Sequence, residues 1–285
     1  MTKICYLIGY PIEHSLSPVM HNTAFKELGI DFSYRAINVE SHHLRSFIEE
    51  TLRRPMVRGA NVTIPHKVDV IKFLDEVDPL AKEIGAVNTI VNDEGVLRGF
   101  NTDGFGAFRA LIEAYGSLKE MKVVLLGAGG ATRAISYYLL KEVQSMVILN
   151  RTERKALELA KDLRKSLRGF KVEIYGSLLT KARLREELFD ADVVINTTPV
   201  GMYPNVENTL ICKNFLNKKM MVFDVIYNPF ETRLILEAKD VGAKTLNGVN
   251  MFVYQGSEAF RLWTSRDAPI DIMTQVVIKA LEEKG

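Results

Sequence analysis

Between residues 123 and 141 an unbroken apolar run, Val123-Val124-Leu125-Leu126, opens onto Gly127-Ala128-Gly129-Gly130-Ala131-Thr132 and then onto a helix-patterned stretch. No other segment restricts the fold as much. Four consecutive apolar residues predict a strand covered on both faces, the situation of a parallel sheet. The glycines permit a tight turn and let backbone N–H groups approach an anion at the helix N-terminus. Gly127, Ala128, Gly129, Gly130 and Ala131 are therefore the expected cradle for the pyrophosphate of a dinucleotide. Thr132 stands where the fingerprint's third glycine would be. Glycine-rich turns also arise for steric reasons alone, so the strand–turn–helix context carries the reading.

The end of the next strand chooses between cofactors. An NAD enzyme places a carboxylate there for the ribose 2′-hydroxyl, about 20 residues after the glycine turn. This chain has Asn150-Arg151-Thr152, with Arg154 following. Two guanidiniums and a hydroxyl suit a 2′-phosphate, which a carboxylate would repel. Basic residues at a helix start oppose its dipole, which disfavours the reading of a merely solvated helix end. The pattern predicts NADP(H), held by Asn150, Arg151, Thr152 and Arg154.

Around this centre the chain alternates. Strands are expected over 146–149, 171–175, 192–196, 220–225 and 243–246, with helices over 153–167 and 231–241. That order predicts a doubly wound, Rossmann-like α/β domain. The first hundred residues alternate as well: strands over 4–9, 34–39 and 57–63, helices over 44–52 and 68–74, and a helix with Ser17 as N-cap, Pro18 first and Gly29 as its stop. Runs over 86–91 and 96–100 flank Asn92-Asp93-Glu94-Gly95, a hairpin signal. After Gly248 the chain is expected to be helical to its end, with Trp263 in the core. A chain of 285 residues at about 150 per domain predicts two domains. They are expected at 1–103, completed by 250–285, and at 104–249.

Charge and cysteines exclude several classes. A net charge of +2 gives no global grip on nucleic acid or on an anionic membrane. With 47% hydrophobic residues the chain is neither disordered nor fibrous. Cys5 and Cys212 form no C-x-x-C pair, and His14, His21 and His66 lack ligand spacing, so no disulfide scaffold and no metal are expected. His42-His43 reads as a solvated helix face. No run approaches the roughly 18 apolar residues of a membrane span, and Pro11 interrupts the first apolar stretch too early for a signal peptide. The expected address is a reducing cytoplasm. Nothing in the sequence sets the oligomeric state, and a homodimer stays open.

Taken in order, Ser15-Leu16-Ser17-Pro18 with Met20-His21-Asn22, Asn61-Val62-Thr63-Ile64-Pro65-His66-Lys67, Gly85-Ala86-Val87-Asn88-Thr89 and Asn101-Thr102-Asp103-Gly104 form a specific series. The glycine turn, Asn150-Arg151-Thr152, Asn196-Thr197-Thr198-Pro199-Val200-Gly201-Met202 and Gly248 through Met251 to Gln255-Gly256 continue it. Over nearly its whole length the chain resembles the shikimate dehydrogenase family. The resemblance implies a substrate domain and an NADP domain facing across a cleft. It also implies reduction of the ring ketone of 3-dehydroshikimate by NADPH, giving shikimate for chorismate and aromatic amino acids. One departure is Ser265, where the family commonly has glycine after Trp-Thr.

Residue roles follow from the same resemblance. Hydride transfer to a ketone leaves an alkoxide that needs a proton. Lys67 is the family's counterpart of that acid, and of the base in reverse. Asp103 corresponds to its partner, which stabilises ammonium over amine, so oxidation is expected to need higher pH. Read without the family, Lys67 is a solvated lysine at a helix start and Asp103 a helix N-cap; for Asp103 both roles are compatible. Ser15 and Ser17 correspond to the groups that bind the substrate carboxylate, near a helix start that favours an anion. Capping alone accounts for Ser17 but not for Ser15. Thr63, Asn88, Asp103, Tyr227 and Gln255, with Asn61 nearby, correspond to the partners of the ring hydroxyls. Asn88 also reads as a strand-end amide serving the backbone, Tyr227 as a turn aromatic, and Gln255 as an exposed helix position. Thr197, Val225, Gly248 and Met251 correspond to residues along the nicotinamide and ribose, although Met251 also reads as plain core. Glycines near 104 and 248 offer hinges for closure. A quinate/shikimate dehydrogenase with relaxed cofactor use and a non-catalytic NADP-binding regulator are the alternatives. The presence of Lys67 and Asp103 argues against the regulator, and the Ser15/Ser17 pair against a folate-linked dehydrogenase.

Overall fold

The computed structural model describes residues 2–283 except Arg168 and Phe170. It divides into two compact units: residues up to Gly106 with those from Val253 onward, and Ala107–Phe252. The expected boundaries, 103/104 and 249/250, lie near the starts of two helices. The contacts divide a few residues further on, inside each helix, because both helices run on without a break.

The first unit begins β1 (Lys3–Gly9), α1 (Ser17–Glu27), β2 (Phe32–Asn38), α2 (Leu44–Phe47, prolonged by a π-turn over Ile48–Leu52) and β3 (Val57–Val62). It continues with β4 (Glu76–Val77), α3 (Pro79–Ile84), β5 (Thr89–Asp93) and β6 (Val96–Phe100), and this stretch ends within α4 (Asp103–Tyr115). The sheet order is β2-β1-β3-β5-β6-β4. β2, β1 and β3 pair in parallel, and β5 and β6 attach as an antiparallel hairpin. Glu94 and Gly95 both have positive φ, 52° and 95°, the conformation a two-residue hairpin turn requires. Ile8, Ile48, Leu52, Ala60, Val70, Ile90 and Leu97 centre the core.

The second unit runs β7 (Lys122–Leu126), α5 (Gly130–Leu139), β8 (Ser145–Asn150), α6 (Glu153–Lys165), β9 (Glu173–Leu178), α7 (Lys181–Leu188), β10 (Val193–Asn196), β11 (Met221–Asp224), α8 (Arg233–Asp240) and β12 (Lys244–Leu246). All six strands pair in parallel, in the order β12-β11-β10-β7-β8-β9. The chain winds outward from β7 to β9 and returns to its other side at β10. The strand order therefore reverses between β7 and β10, and ligands of such sheets bind beyond the carboxyl ends at this point. Val123, Val124, Leu125 and Leu126 are fully buried, as a strand covered on both faces must be.

Three expectations change. The helix over 68–74 is a single 3₁₀ turn, Asp69–Phe73, because Leu74 already returns to extended backbone and five residues are too few to propagate an α-helix. The chain is not helical throughout after Gly248. α9 (Val249–Thr264) and α10 (Ile270–Glu282) are separated where Ser265 takes φ 57° and where Pro269 has no N–H to give. Ser17 is not the N-cap of α1: Leu16 is, and Ser17 is the first helical residue. Among the described residues no helix is long and apolar enough to cross a membrane, and no group of three or more potential metal ligands assembles.

Candidate active site

The segment after β3 brings Lys67 to Asp103. Val87 N–H donates to Lys67 O at 2.7 Å, and the buried His66 donates from Nε2 to Val39 O at 2.6 Å, so the backbone on either side is pinned. A single 3₁₀ turn beyond Lys67 has little dipole, so the lysine is not a cation forced onto a helix start. Asp103 opens α4 but does not cap it. Asn101 Oδ1 accepts the N–H groups of Asp103 at 3.1 Å and Gly104 at 3.4 Å, which leaves the Asp103 carboxylate to other partners. Lys67 Nζ donates to Asp103 Oδ2 at 2.6 Å, with the side chains 19% and 7% exposed.

Asn88 holds the other carboxylate oxygen. Its Oδ1 accepts the Thr102 N–H at 2.7 Å, which fixes which way the amide faces. Nδ2 then donates to Asp103 Oδ1 at 2.9 Å and lies 3.4 Å from Gln255 Oε1. Asn61 is buried behind Asn88, and its amide is committed to Tyr34, Asn88 O and Thr89. Asn61 thus supports the site from within the sheet rather than offering a free amide. Ser15 Oγ accepts the Ser17 N–H and donates to Ser17 Oγ, both at 3.2 Å. The capping role expected of Ser17 therefore falls to Ser15. Thr63 follows β3 with its N–H on Ile8 O.

In the second unit the glycine turn has the shape a dinucleotide needs. Gly127 has φ 111°, and a Cβ there would sit 2.6 Å from Thr197 Oγ1. A Cβ on Gly129 would meet nothing within 4 Å, so the turn faces open space. Thr197 donates to Leu126 O at 2.6 Å. The Thr132 hydroxyl consequently donates to Thr197 Oγ1 at 2.7 Å and accepts Gly129 N–H at 3.2 Å. Fully buried, it ties α5 to the loop after β10, the close packing that a third glycine would otherwise allow. Asn150 Nδ2 donates to Thr152 O at 2.9 Å and shapes the turn that exposes Arg151 and Thr152. Arg154, 80% exposed, lies 3.5 Å from Glu158. A Cβ on Gly248 would be 2.2 Å from Val225 O, so only glycine fits against that strand end. Tyr227 stacks on Phe252 with centroids 4.2 Å apart, and Met251 is buried. An open glycine turn, an uncovered basic strand end and no carboxylate at 150–152 together fit NADP(H).

Three family models match the chain: the shikimate dehydrogenase substrate binding domain over residues 7–90, shikimate / quinate 5-dehydrogenase over 110–229, and the shikimate 5'-dehydrogenase C-terminal domain over 248–278. The shikimate dehydrogenase (NADP(+)) of Methanosarcina acetivorans is 47% identical over 286 residues, covering 99% of this chain and all of the relative. That of Methanocaldococcus jannaschii is 45% identical, covering 97% of this chain and 96% of the relative. The chain belongs to the shikimate dehydrogenase family. A crystal structure of a shikimate dehydrogenase in complex with NADP+ superposes with a TM-score of 0.90 at 43% identity, covering 98% of this chain and 96% of that one.

For a shikimate dehydrogenase, one group near the cofactor turn escaped the sequence reading. Asp224, fully buried at the end of β11, accepts Thr232 Oγ1 at 2.7 Å, Asn196 Nδ2 at 3.1 Å and Ile226 N–H at 3.2 Å. It ties together the loops carrying Thr197, Val225 and Tyr227. The available signal was two apolar strands, β10 and β11, that each end on a polar residue, Asn196 facing Asp224 in register. Burial raises the Asp224 carboxyl to about 6 from an ordinary 3.8, against the pull of its three donors. The folded state therefore binds more protons than the unfolded chain between these values. Stability is expected to rise as pH falls through 6 towards 4, and to be lost again as pH rises through 6, at most about 1.4 kcal/mol per unit of separation. Denaturant unfolding of wild type and Asp224→Asn between pH 7 and 4 checks this. A difference between the two that stays constant over that range sinks it.

Proposed function

We propose that this chain catalyses the reversible reduction of 3-dehydroshikimate to shikimate by NADPH, with Lys67 as the proton donor. The observation that carries the reading is the 2.6 Å contact of Lys67 Nζ with Asp103 Oδ2, while Asn88 occupies the other oxygen. NADPH, when bound, supplies the hydride to the ring ketone. Lys67 gives one proton from its ammonium to the carbonyl oxygen as that oxygen gains charge. Asp103 holds the ammonium in line and accepts a neighbouring ring hydroxyl. Ser15 and Ser17 donate to the substrate carboxylate. Thr63, Asn88, Tyr227 and Gln255 serve the remaining hydroxyls, which both donate and accept. Arg151, Thr152 and Arg154 hold the 2′-phosphate, and Gly127 through Ala131 receive the pyrophosphate on the N-terminus of α5. Thr197, Val225, Gly248 and Met251 border the nicotinamide side. The buried Cys5 and the unpaired Cys212 suit a reducing cytoplasm.

The test is direct. Purified protein mixed with NADPH and 3-dehydroshikimate is expected to lose nicotinamide absorbance only when both are present. In the reverse direction shikimate oxidation is expected to speed up from neutral to alkaline pH, since Lys67 must then accept a proton. A rate independent of pH over that range counts against Lys67 as the base. Faster turnover of quinate with NAD+ would move the assignment to a quinate dehydrogenase.

A further inference from the structure

A run of hydrogen bonds leads from a buried phenol to the Lys67–Asp103 pair. Tyr34, 2% exposed, donates its hydroxyl to Asn61 Oδ1 at 2.7 Å. That leaves Asn61 Nδ2 to face Asn88 O at 3.2 Å and Thr89 Oγ1 at 3.0 Å, and an amide nitrogen only donates. Thr89 accepts from Asn61, so its own proton goes forward, to Asn88 Oδ1 or Thr102 Oγ1, each at 3.2 Å. Asn88 Oδ1 also receives the Thr102 N–H, and Nδ2 is turned to Asp103 Oδ1. Lys67 closes the run on Asp103 Oδ2. Tyr34, Asn61, Asn88, Thr89, Thr102 and Asp103 are all buried, so water competes little and successive bonds polarise one another.

The phenol at the far end is itself held rigidly. Asn22 clamps its backbone, donating from Nδ2 to Tyr34 O at 2.9 Å and accepting Tyr34 N–H at 2.8 Å. Its ring stacks on His21 with centroids 4.5 Å apart and planes 15° from parallel. His21 is fully buried, its two ring nitrogens have no hydrogen-bond partner, and burial pulls it down to about 3. It therefore acts as a neutral plate beneath the phenol. Trp263 borders both rings and donates from Nε1 to Ile90 O at 3.0 Å.

We propose that Tyr34 is a positioning residue: its hydroxyl braces Asn61 and, through Thr89, the Asn88 amide, whose sense the Thr102 N–H sets, so that Asn88 keeps its 2.9 Å bond to Asp103. The proposal rests on Lys67 and Asp103 being the pair that handles the proton. Where the Asn88 amide is braced less firmly, its bond to Asp103 weakens, more of the Asp103 charge acts on Lys67, the ammonium is held harder, and oxidation needs higher pH. A purely structural tyrosine would lower activity without moving the pH profile.

The experiment is the pH profile of kcat for shikimate oxidation with NADP+, in wild type, Tyr34→Phe, Thr89→Val and His21→Phe. Tyr34→Phe removes one oxygen and keeps the ring. Thr89→Val cuts the same run one link nearer the pair, and decides the matter alone if Tyr34→Phe fails to fold. Both are expected to move the rising limb up by about half a pH unit and to lower kcat at neutral pH about 2- to 10-fold, the size of one hydrogen bond. His21→Phe keeps both the plate and the phenol and is expected to leave the limb in place. Limbs of Tyr34→Phe and Thr89→Val that superimpose on an active wild type overturn the positioning role alone, as does an equal shift in His21→Phe. A wild type without turnover overturns the proposed function and the positioning role with it.

Discussion

Lys67→Ala is expected to lower turnover with NADPH and 3-dehydroshikimate by roughly 10²- to 10⁴-fold, the range for losing a placed general acid. NADPH affinity is expected to stay within about twofold, because the groups assigned to the cofactor lie between Gly127 and Met251 and exclude this lysine. Two further variants separate proton transfer from charge. Lys67→Met keeps the apolar stem but leaves Asp103, 7% exposed, with Asn88 and without a cation, and is expected to be as inactive as alanine. Lys67→Arg restores the cation, but a guanidinium does not release its proton in this range, so turnover is expected to stay low while the fold is kept. Steady-state rates, a fluorescence titration with NADPH and a melting curve make up the measurement. Full turnover in Lys67→Ala would remove the lysine from the reaction. Turnover rescued by arginine would reduce its role to that of a charge.

The parts of this fold that were legible in the sequence are those that local chemistry determines. β7 was readable because four residues buried on both faces leave an unbroken apolar run. The β5–β6 hairpin was readable because Asn92 to Gly95 is turn chemistry between two strand-like runs. α7 left no trace, since only Leu184 and Leu188 of its eight residues are buried and the rest is charged apart from Ala182. At the site, the series of motifs offered candidate residues, but which of them meet needed coordinates. The sequence offered Asp103 as its own helix cap and Ser17 as another. The structure hands these tasks to Asn101 and Ser15, and leaves the Asp103 carboxylate to Lys67 and Asn88. Lys67 and Asp103 are 36 positions apart, and no local pattern measures such a contact. Asp224 and Tyr34 were missed for the same reason: a polar group matters through burial and partners, and both are set by strands distant in sequence.

Arg151→Ala is expected to weaken NADPH binding by about 10- to 100-fold and to leave NADH nearly unaffected, since a charge-assisted bond is worth about 1.5–3 kcal/mol. The discrimination rests on one phosphate, and only a group that touches that phosphate changes one cofactor without the other. Arg151 stands on the turn that the Asn150 side chain ties to Thr152 O, so it is carried by a fixed backbone rather than a loose loop. Arg154 is the weaker contributor: at 80% exposure and 3.5 Å from Glu158, it already has a solvated carboxylate beside it. Arg154→Ala alone is therefore expected to change NADPH affinity less than Arg151→Ala, and the double variant to bring NADPH and NADH close together. Salt gives an independent check, because screening acts on the phosphate contact and spares the parts the two cofactors share. The NADPH-to-NADH affinity ratio of wild type is expected to fall as ionic strength rises, and that of the double variant to stay flat. Titrations of both cofactors at two salt concentrations measure this, and an Arg151→Ala protein that binds NADPH as tightly as wild type would take the 2′-phosphate away from this strand end.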